Sequence, residues 1–210
     1  MPTTATLGVF IVAALALLVV PGPSVLYLVT QSIAAGRRGG MAAMFGVQTA
    51  GAVHVLFAAV GLSAIIASSA TAFAILKYAG AAYLIWMGAR RLLSGESIGH
   101  VAAGADSTTS QRRLFRQGFI VNLLNPKSAI FFVAVLPQFV DRTRGAPWVQ
   151  VLILGAIFLT VAVISDGAWV LCAGWVSARL RSRRAQRIES TLSGAVLIAL
   201  GLVAATQRRT

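Results

Sequence analysis

The sequence predicts an all-α integral membrane protein of six transmembrane helices arranged as two inverted three-helix repeats, with the first and fourth helices interrupted by proline. Three observations carry this. Of 210 residues, 58% are apolar and only 11% charged, whereas a soluble chain is charged at about a quarter of its positions, so the polar surface that covers a globule is missing. Six apolar runs follow one another, each long enough to cross the hydrocarbon as a helix, and the alternation of barrel strands is absent. Prolines stand inside two of these runs at corresponding places. Six crossings consume most of the chain, leaving a single transmembrane domain over 1–210 and no room for a soluble catalytic one.

In order, the runs cover residues 7–33, 41–67, 70–93, 114–140, 148–176 and 188–206. Arg37 to Gly40 reads as the first connection, Ser68 and Ser69 as a tight joint, and Asp141 to Pro147 as a turn. The stretch 94–113, rich in Gly, Ser, Thr and Ala without periodicity, reads as a flexible loop between halves at about 1–93 and 114–210. The N-terminus lacks the basic region and cleavage site of a signal peptide, so the first run is expected to remain as a span. In the second run Ala42, Gly46 and Ala50 recur at helical spacing. Such ladders let backbones approach closely, which reads here as packing within the chain and leaves a homodimer open.

The net charge of +13 comes from 18 basic residues, 16 of them Arg, clustered beside apolar runs rather than along one stripe. That pattern marks topology, not a nucleic-acid surface. Twelve arginines fall in the first, third and fifth connections and four on the opposite side, so the twelve should face the cytoplasm and both termini the outside. The single Cys172 offers neither an intrachain disulfide nor a metal cluster, and no cofactor motif is present.

Pro21-Gly22-Pro23 breaks the first run and Asn125-Pro126-Lys127 the fourth, because proline removes a helix donor and clashes with the preceding turn. Aligning Ser24 with Ser128 sets the two breaks side by side, and Gly80-Ala81-Ala82-Tyr83-Leu84-Ile85 echoes Gly194-Ala195-Val196-Leu197-Ile198. Halves with an odd number of spans insert in opposite senses. Matched interruptions in two inverted halves point to a transporter's substrate site near the midplane, where free N–H groups at a half-helix start can hold a carboxylate. The candidate binding residues are Pro21, Gly22, Pro23, Ser24, Asn122, Asn125, Pro126 and Lys127.

Three ionisable residues sit within spans: Lys77, Lys127 and Asp166. A charge at the centre of a helix costs at least ~2.5 kcal/mol on insertion scales. Lys127 lies about 20 Å into its run at 1.5 Å per residue, too deep to reach the headgroups, and is the cavity candidate. Asp166 is read either as a proton carrier or as the partner of Lys127 or Lys77 in a fixed ion pair. Lys77 stands near a span start, where it can snorkel. His54 reads as a hydrogen-bonding group rather than a relay. Gln31, Gln48, Asn122 and Gln138 can line a cavity or pin helices, and Tyr27, Tyr83, Trp86 and Trp169 can wall it or sit at the interface.

These motifs resemble the lysine exporter family, in particular its homoserine and threonine efflux branch. The resemblance rests on Pro21-Gly22-Pro23, on Leu76-Lys77-Tyr78-Ala79-Gly80-Ala81-Ala82-Tyr83-Leu84 ending at Gly88, and on Gly118 through Asn122 to Asn125-Pro126-Lys127 with Pro137-Gln138-Phe139. It implies a bacterial inner-membrane exporter of amino acids or related small metabolites driven by the proton gradient, and it gives Lys77 a functional or architectural role. The excess of intramembrane lysine over aspartate favours neutral amino acids over lysine or arginine. Two other classes compete with this reading: a membrane-embedded redox enzyme, which needs a second cysteine, and a passive channel or structural subunit, which saturable flux would exclude.

Overall fold

The computed structural model describes residues 2–68 and 110–179, together with single positions between 75 and 93 and between 191 and 205. Lys77 and most of the expected third and sixth spans lie outside the described residues. Every regular element within them is a helix.

The first span is two helices. α1 (Thr4–Val19) starts where the Thr3 hydroxyl accepts the Thr6 amide at 3.1 Å. It stops because a residue preceding proline is driven to extended geometry, which Val20 adopts before Pro21. α2 (Pro23–Ala34) then begins with proline at a first helical position, where its missing N–H costs nothing. The two axes meet at 54°.

α3 (Gly36–Ser68) follows almost at once. Gly36 takes a left-handed φ of 68°, which glycine adopts without steric cost. The chain thus reverses at Ala35 and Gly36, and Arg37 to Gly40, expected as a connection, form the first turn of α3 instead. Glycine freedom at one residue replaces a loop.

α4 (Gln111–Leu123) also starts earlier than the apolar run, inside the stretch 94–113 expected to be loop. The Ser110 hydroxyl accepts the Arg113 amide at 3.4 Å and recruits Gln111 to Arg113 into the helix. After the second break, α5 (Pro126–Ile130) continues as a π-turn over Phe131–Val135 and a 3-10 turn over Leu136–Phe139, at 49° to α4. Pro137 has no N–H to continue an α-helical ladder, and the Gln138 side-chain amide donates to the Ala134 carbonyl at 2.6 Å. A short 3-10 turn at Arg142–Arg144 leads to α6 (Pro147–Arg179). Gln150, 1% exposed, braces that turn by accepting from the Asp141 amide at 3.0 Å and donating to the Asp141 carbonyl at 2.7 Å.

α3 and α6 each carry an apolar stretch long enough to cross a bilayer, and the bent pairs α1–α2 and α4–α5 each qualify as one broken span. α3 and α4 run parallel, with Gly39 beside Leu114 and Asn122 bonded to Val47. α6 is antiparallel to α3, since Gly155 meets Val55 while Gly40 meets Val170. Arg37, Arg38, Arg112, Arg113 and the end of α6 therefore share one end of the bundle, as the arginine count expects. Phe10, Phe131, Phe132, Phe139 and Phe158 pack as a ring cluster toward the other end.

The ladder on α3 is used within the chain. A Cβ at Gly46 would strike the Phe115 carbonyl, and one at Gly118 the Ala43 carbonyl, so the two backbones touch where these glycines lie.

Candidate functional site

The two breaks come together. Ser24, in the first turn of α2, and Ser128, in α5, both donate to the side-chain oxygen of Asn122, each at 2.9 Å. The Asn122 amide donates to the Val47 carbonyl at 2.8 Å, and the Asn125 amide to the Ser24 hydroxyl at 2.9 Å. Asn125 also caps α5, its oxygen accepting the Lys127 amide at 3.0 Å. One polar network thus ties both broken helices to α3, and it is buried, where an unmade hydrogen bond is expensive.

Lys127 crosses from the second break to the first. Its ammonium donates to the carbonyl of Val20, the residue at which α1 ends and whose carbonyl the break has freed. Gly22 makes room for this crossing, because a Cβ there would lie 3.1 Å from the lysine Cδ. Opposite, the Asp166 carboxylate on α6 accepts from the Gln48 side-chain amide of α3 at 2.8 Å. Lys127 is 6% and Asp166 3% exposed, so both charges are removed from solvent.

Both face one cavity of about 40 Å³, bounded on the polar side by Gly22, Ser24, Gln48, Asn122, Asn125 and Ser128 and on the apolar side by Leu17, Phe132, Phe158 and Leu159. That is room for about three waters. The start of α2 borders it at Ser24 and Val25, whose amides belong to the first turn and so have no intrahelical acceptor.

Of the residues singled out by sequence, Gly22, Ser24, Asn122, Asn125, Lys127 and Asp166 line this cavity. Pro21 is buried behind it, while Pro23 and Pro126 are exposed and act by opening α2 and α5. Lys77 lies outside the described residues. Gln48 lines the cavity, whereas Gln138 serves the helix end described above. Tyr27 is a tie and not a wall: its hydroxyl donates to the Leu114 carbonyl at 2.9 Å and to Gln117 at 3.2 Å. His54 bonds the Asn122 carbonyl at 3.1 Å and stacks on Phe132 at 5.8 Å, the hydrogen-bonding role expected of it. Ser128 and Gly51 were not singled out as site residues. Ser128 could have been found as the partner of Ser24 in the alignment of the halves; Gly51, where a Cβ would press on Leu159 at 2.9 Å, gives no such signal.

Comparison with known proteins agrees with a transporter. The model of the LysE type translocator family matches residues 15–208. An uncharacterized membrane protein of Vibrio cholerae is 30% identical over 199 residues, covering 95% of this chain and 96% of that protein. The homoserine/homoserine lactone efflux protein of Salmonella typhimurium is 33% identical over 189 residues, 90% of each chain. The leucine efflux protein of the same organism is 29% identical over 167 residues, 77% of this chain and 78% of its own. No solved structure matches the chain. With a family match over nearly the whole sequence and a helical bundle built for a bilayer, the chain belongs to the LysE type translocators and is a multi-pass inner-membrane transporter of bacteria, not an enzyme.

Proposed function

We propose that the protein is a secondary exporter of neutral amino acids or closely related metabolites, driven by the proton gradient and working by alternating access around the cavity between the two broken helices. The observation that carries this is the meeting of Lys127 and Asp166 on one cavity floored by the Ser24–Asn122–Ser128 network. A zwitterion has one group for each: its carboxylate suits the Lys127 ammonium and the free amides at the start of α2, and its ammonium suits Asp166. The Lys127 ammonium has further N–H donors to offer a carboxylate beyond the one on the Val20 carbonyl, so a bound substrate is linked through Lys127 to the first break.

The small cavity supports alternating access, since a space for about three waters has to widen before an amino acid enters. In this reading the chain is a single domain of six spans, two inverted halves at about 1–93 and 114–210, with Pro21, Pro23 and Pro126 as hinge residues and Lys77 contributing to the ion balance. Protonation of Asp166 takes the charge from its bond to Gln48 and weakens it, which lets α6 move against α3. Dimerisation through the α3 ladder is not part of the proposal, because Gly46 is taken up by α4.

The test is efflux from proteoliposomes loaded with homoserine or leucine. Export should be saturable and should collapse when a protonophore removes the pH gradient. Lys127→Ala should lower it by at least about tenfold, equivalent to ~1.4 kcal/mol. Asp166→Asn should lower export, because the substrate ammonium loses its partner, and the export that remains should no longer depend on the gradient. Flux indifferent to both the gradient and Lys127→Ala overturns the proposal.

A further inference from the structure

At the arginine-rich end of the bundle, the parallel helices α3 and α4 begin side by side and leave a groove of about 530 Å³ between them, lined by Arg37, Arg38, Met41, Phe45, Arg112 and Phe115. Three guanidiniums here stand on the first turns of two helices, where the backbone dipoles already place partial positive charge. Neither first turn holds an acidic residue. Among the described residues no hydrogen bond or ion pair engages the side chains of Arg37, Arg38 or Arg112, and all three are exposed. The three like charges repel one another, and an anion between the two helix starts relieves that repulsion.

The groove also specifies what the anion is attached to. Beyond the arginines, Met41 and the rings of Phe45 (56% exposed) and Phe115 (36% exposed) continue the wall into the apolar part of both helices. A free phosphate has no use for that wall, whereas an anionic phospholipid carries a phosphodiester above an acyl chain. Basic pockets between helices at the cytoplasmic face suit such headgroups, and the arginine count places this end on that face. We propose that the groove between the starts of α3 and α4 binds an anionic phospholipid, its phosphate held by Arg37, Arg38 and Arg112 and its first acyl segment lying on Phe45 and Phe115.

The test uses the full-length protein, delipidated in neutral detergent and titrated with phosphatidylglycerol, phosphatidylcholine or inorganic phosphate under native mass spectrometry. Phosphatidylglycerol should bind in preference to phosphatidylcholine, and each of Arg37→Gln, Arg38→Gln and Arg112→Gln should weaken it by about fivefold. Arg142→Gln with Arg144→Gln, at the far end, should leave it unchanged. Should an arginine variant fail to fold, amide exchange in the wild type serves instead: phosphatidylglycerol should protect the first turns of α3 and α4. Equal binding of both lipids, or no protection there, overturns the proposal. Displacement of phosphatidylglycerol by millimolar phosphate overturns it in favour of a free-anion site. Binding seen only after Glu96→Gln with Asp106→Asn overturns it in favour of those carboxylates as the arginines' partners.

Discussion

Two serines from opposite halves of the chain donate to one oxygen, that of Asn122, and this decides how substitutions there should behave. Ser128→Ala leaves the oxygen one donor and should cost no more than the ~0.6 kcal/mol typical of an intramembrane hydrogen bond, whereas Ser24→Ala also takes the acceptor from the Asn125 amide and should cost about twice that. Asn122→Leu removes both acceptor bonds and the bond to Val47, and should cost about 2 kcal/mol in a reversible unfolding titration in mixed micelles. A cost no greater than that of either serine would show that the network contributes nothing as a unit. Asp141, outside the spans, gives a pH prediction of its own. The Thr143 hydroxyl at 2.7 Å and the Thr143 amide at 2.9 Å, with Arg144 contributing less, hold its carboxyl below the usual range. A group lowered in the folded state stabilises it above its ordinary pKa and stops doing so as pH falls through the lowered value. Exchange protection of the Thr143 amide should therefore persist through pH ~3.9 and fade only below it, and Thr143→Val should move that midpoint upward; a wild-type midpoint at or above the ordinary value contradicts the cap.

The elements separate what can be read from sequence from what cannot. Both breaks were legible because proline acts locally: Pro21 and Pro126 impose their geometry whatever packs around them. The hairpin joint at Gly36 was not, since nothing in Arg37-Arg38-Gly39-Gly40 distinguishes a loop from a first helical turn until the left-handed φ of Gly36 is known. The π-turn at Phe131–Val135 was likewise hidden, because it depends on Pro137 downstream and on the ring packing of Phe131 and Phe132 together. The contact of α3 with α4 lies between these cases: the small-residue spacing announced a close approach, but not its partner. That contact makes a sharp prediction. Gly46→Ala and Gly118→Ala each drive a methyl into a backbone carbonyl of the facing helix, which cannot swing aside as a side chain can. Each should destabilise by about 1–3 kcal/mol, whereas Gly61→Ala, with open space around its Cβ, should be neutral or stabilise by up to about 1 kcal/mol through helix propensity. Equal thermal stability of all three variants would mean that α3 and α4 do not touch there.

For the whole molecule, the arginine count and the helix directions are independent statements about the same axis, and they agree. The count uses charge alone; the directions come from contacts such as Gly155 with Val55 and Gly40 with Val170, which owe nothing to charge. The candidate site follows from the same geometry, because it forms only where parallel α3 and α4 bring Asn122 to Val47 while antiparallel α6 brings Asp166 to Gln48. Sequence supplied the residues on the broken helices and, in Asp166 and Gln48, two of the facing ones, but not their partners, since the bonds of Gln48 to Asp166 and of Ser24 to Asn122 depend on how the helices dock. Orientation in the membrane can be tested directly. Cys172 is the chain's single cysteine and exposed, so Cys172→Ser provides a cysteine-free background. In intact cells a membrane-impermeant thiol reagent should label Thr143→Cys and spare Arg37→Cys and Arg112→Cys; in everted vesicles the pattern should reverse. Labelling of Arg37→Cys from outside would invert the molecule and place the α3–α4 groove in the outer leaflet.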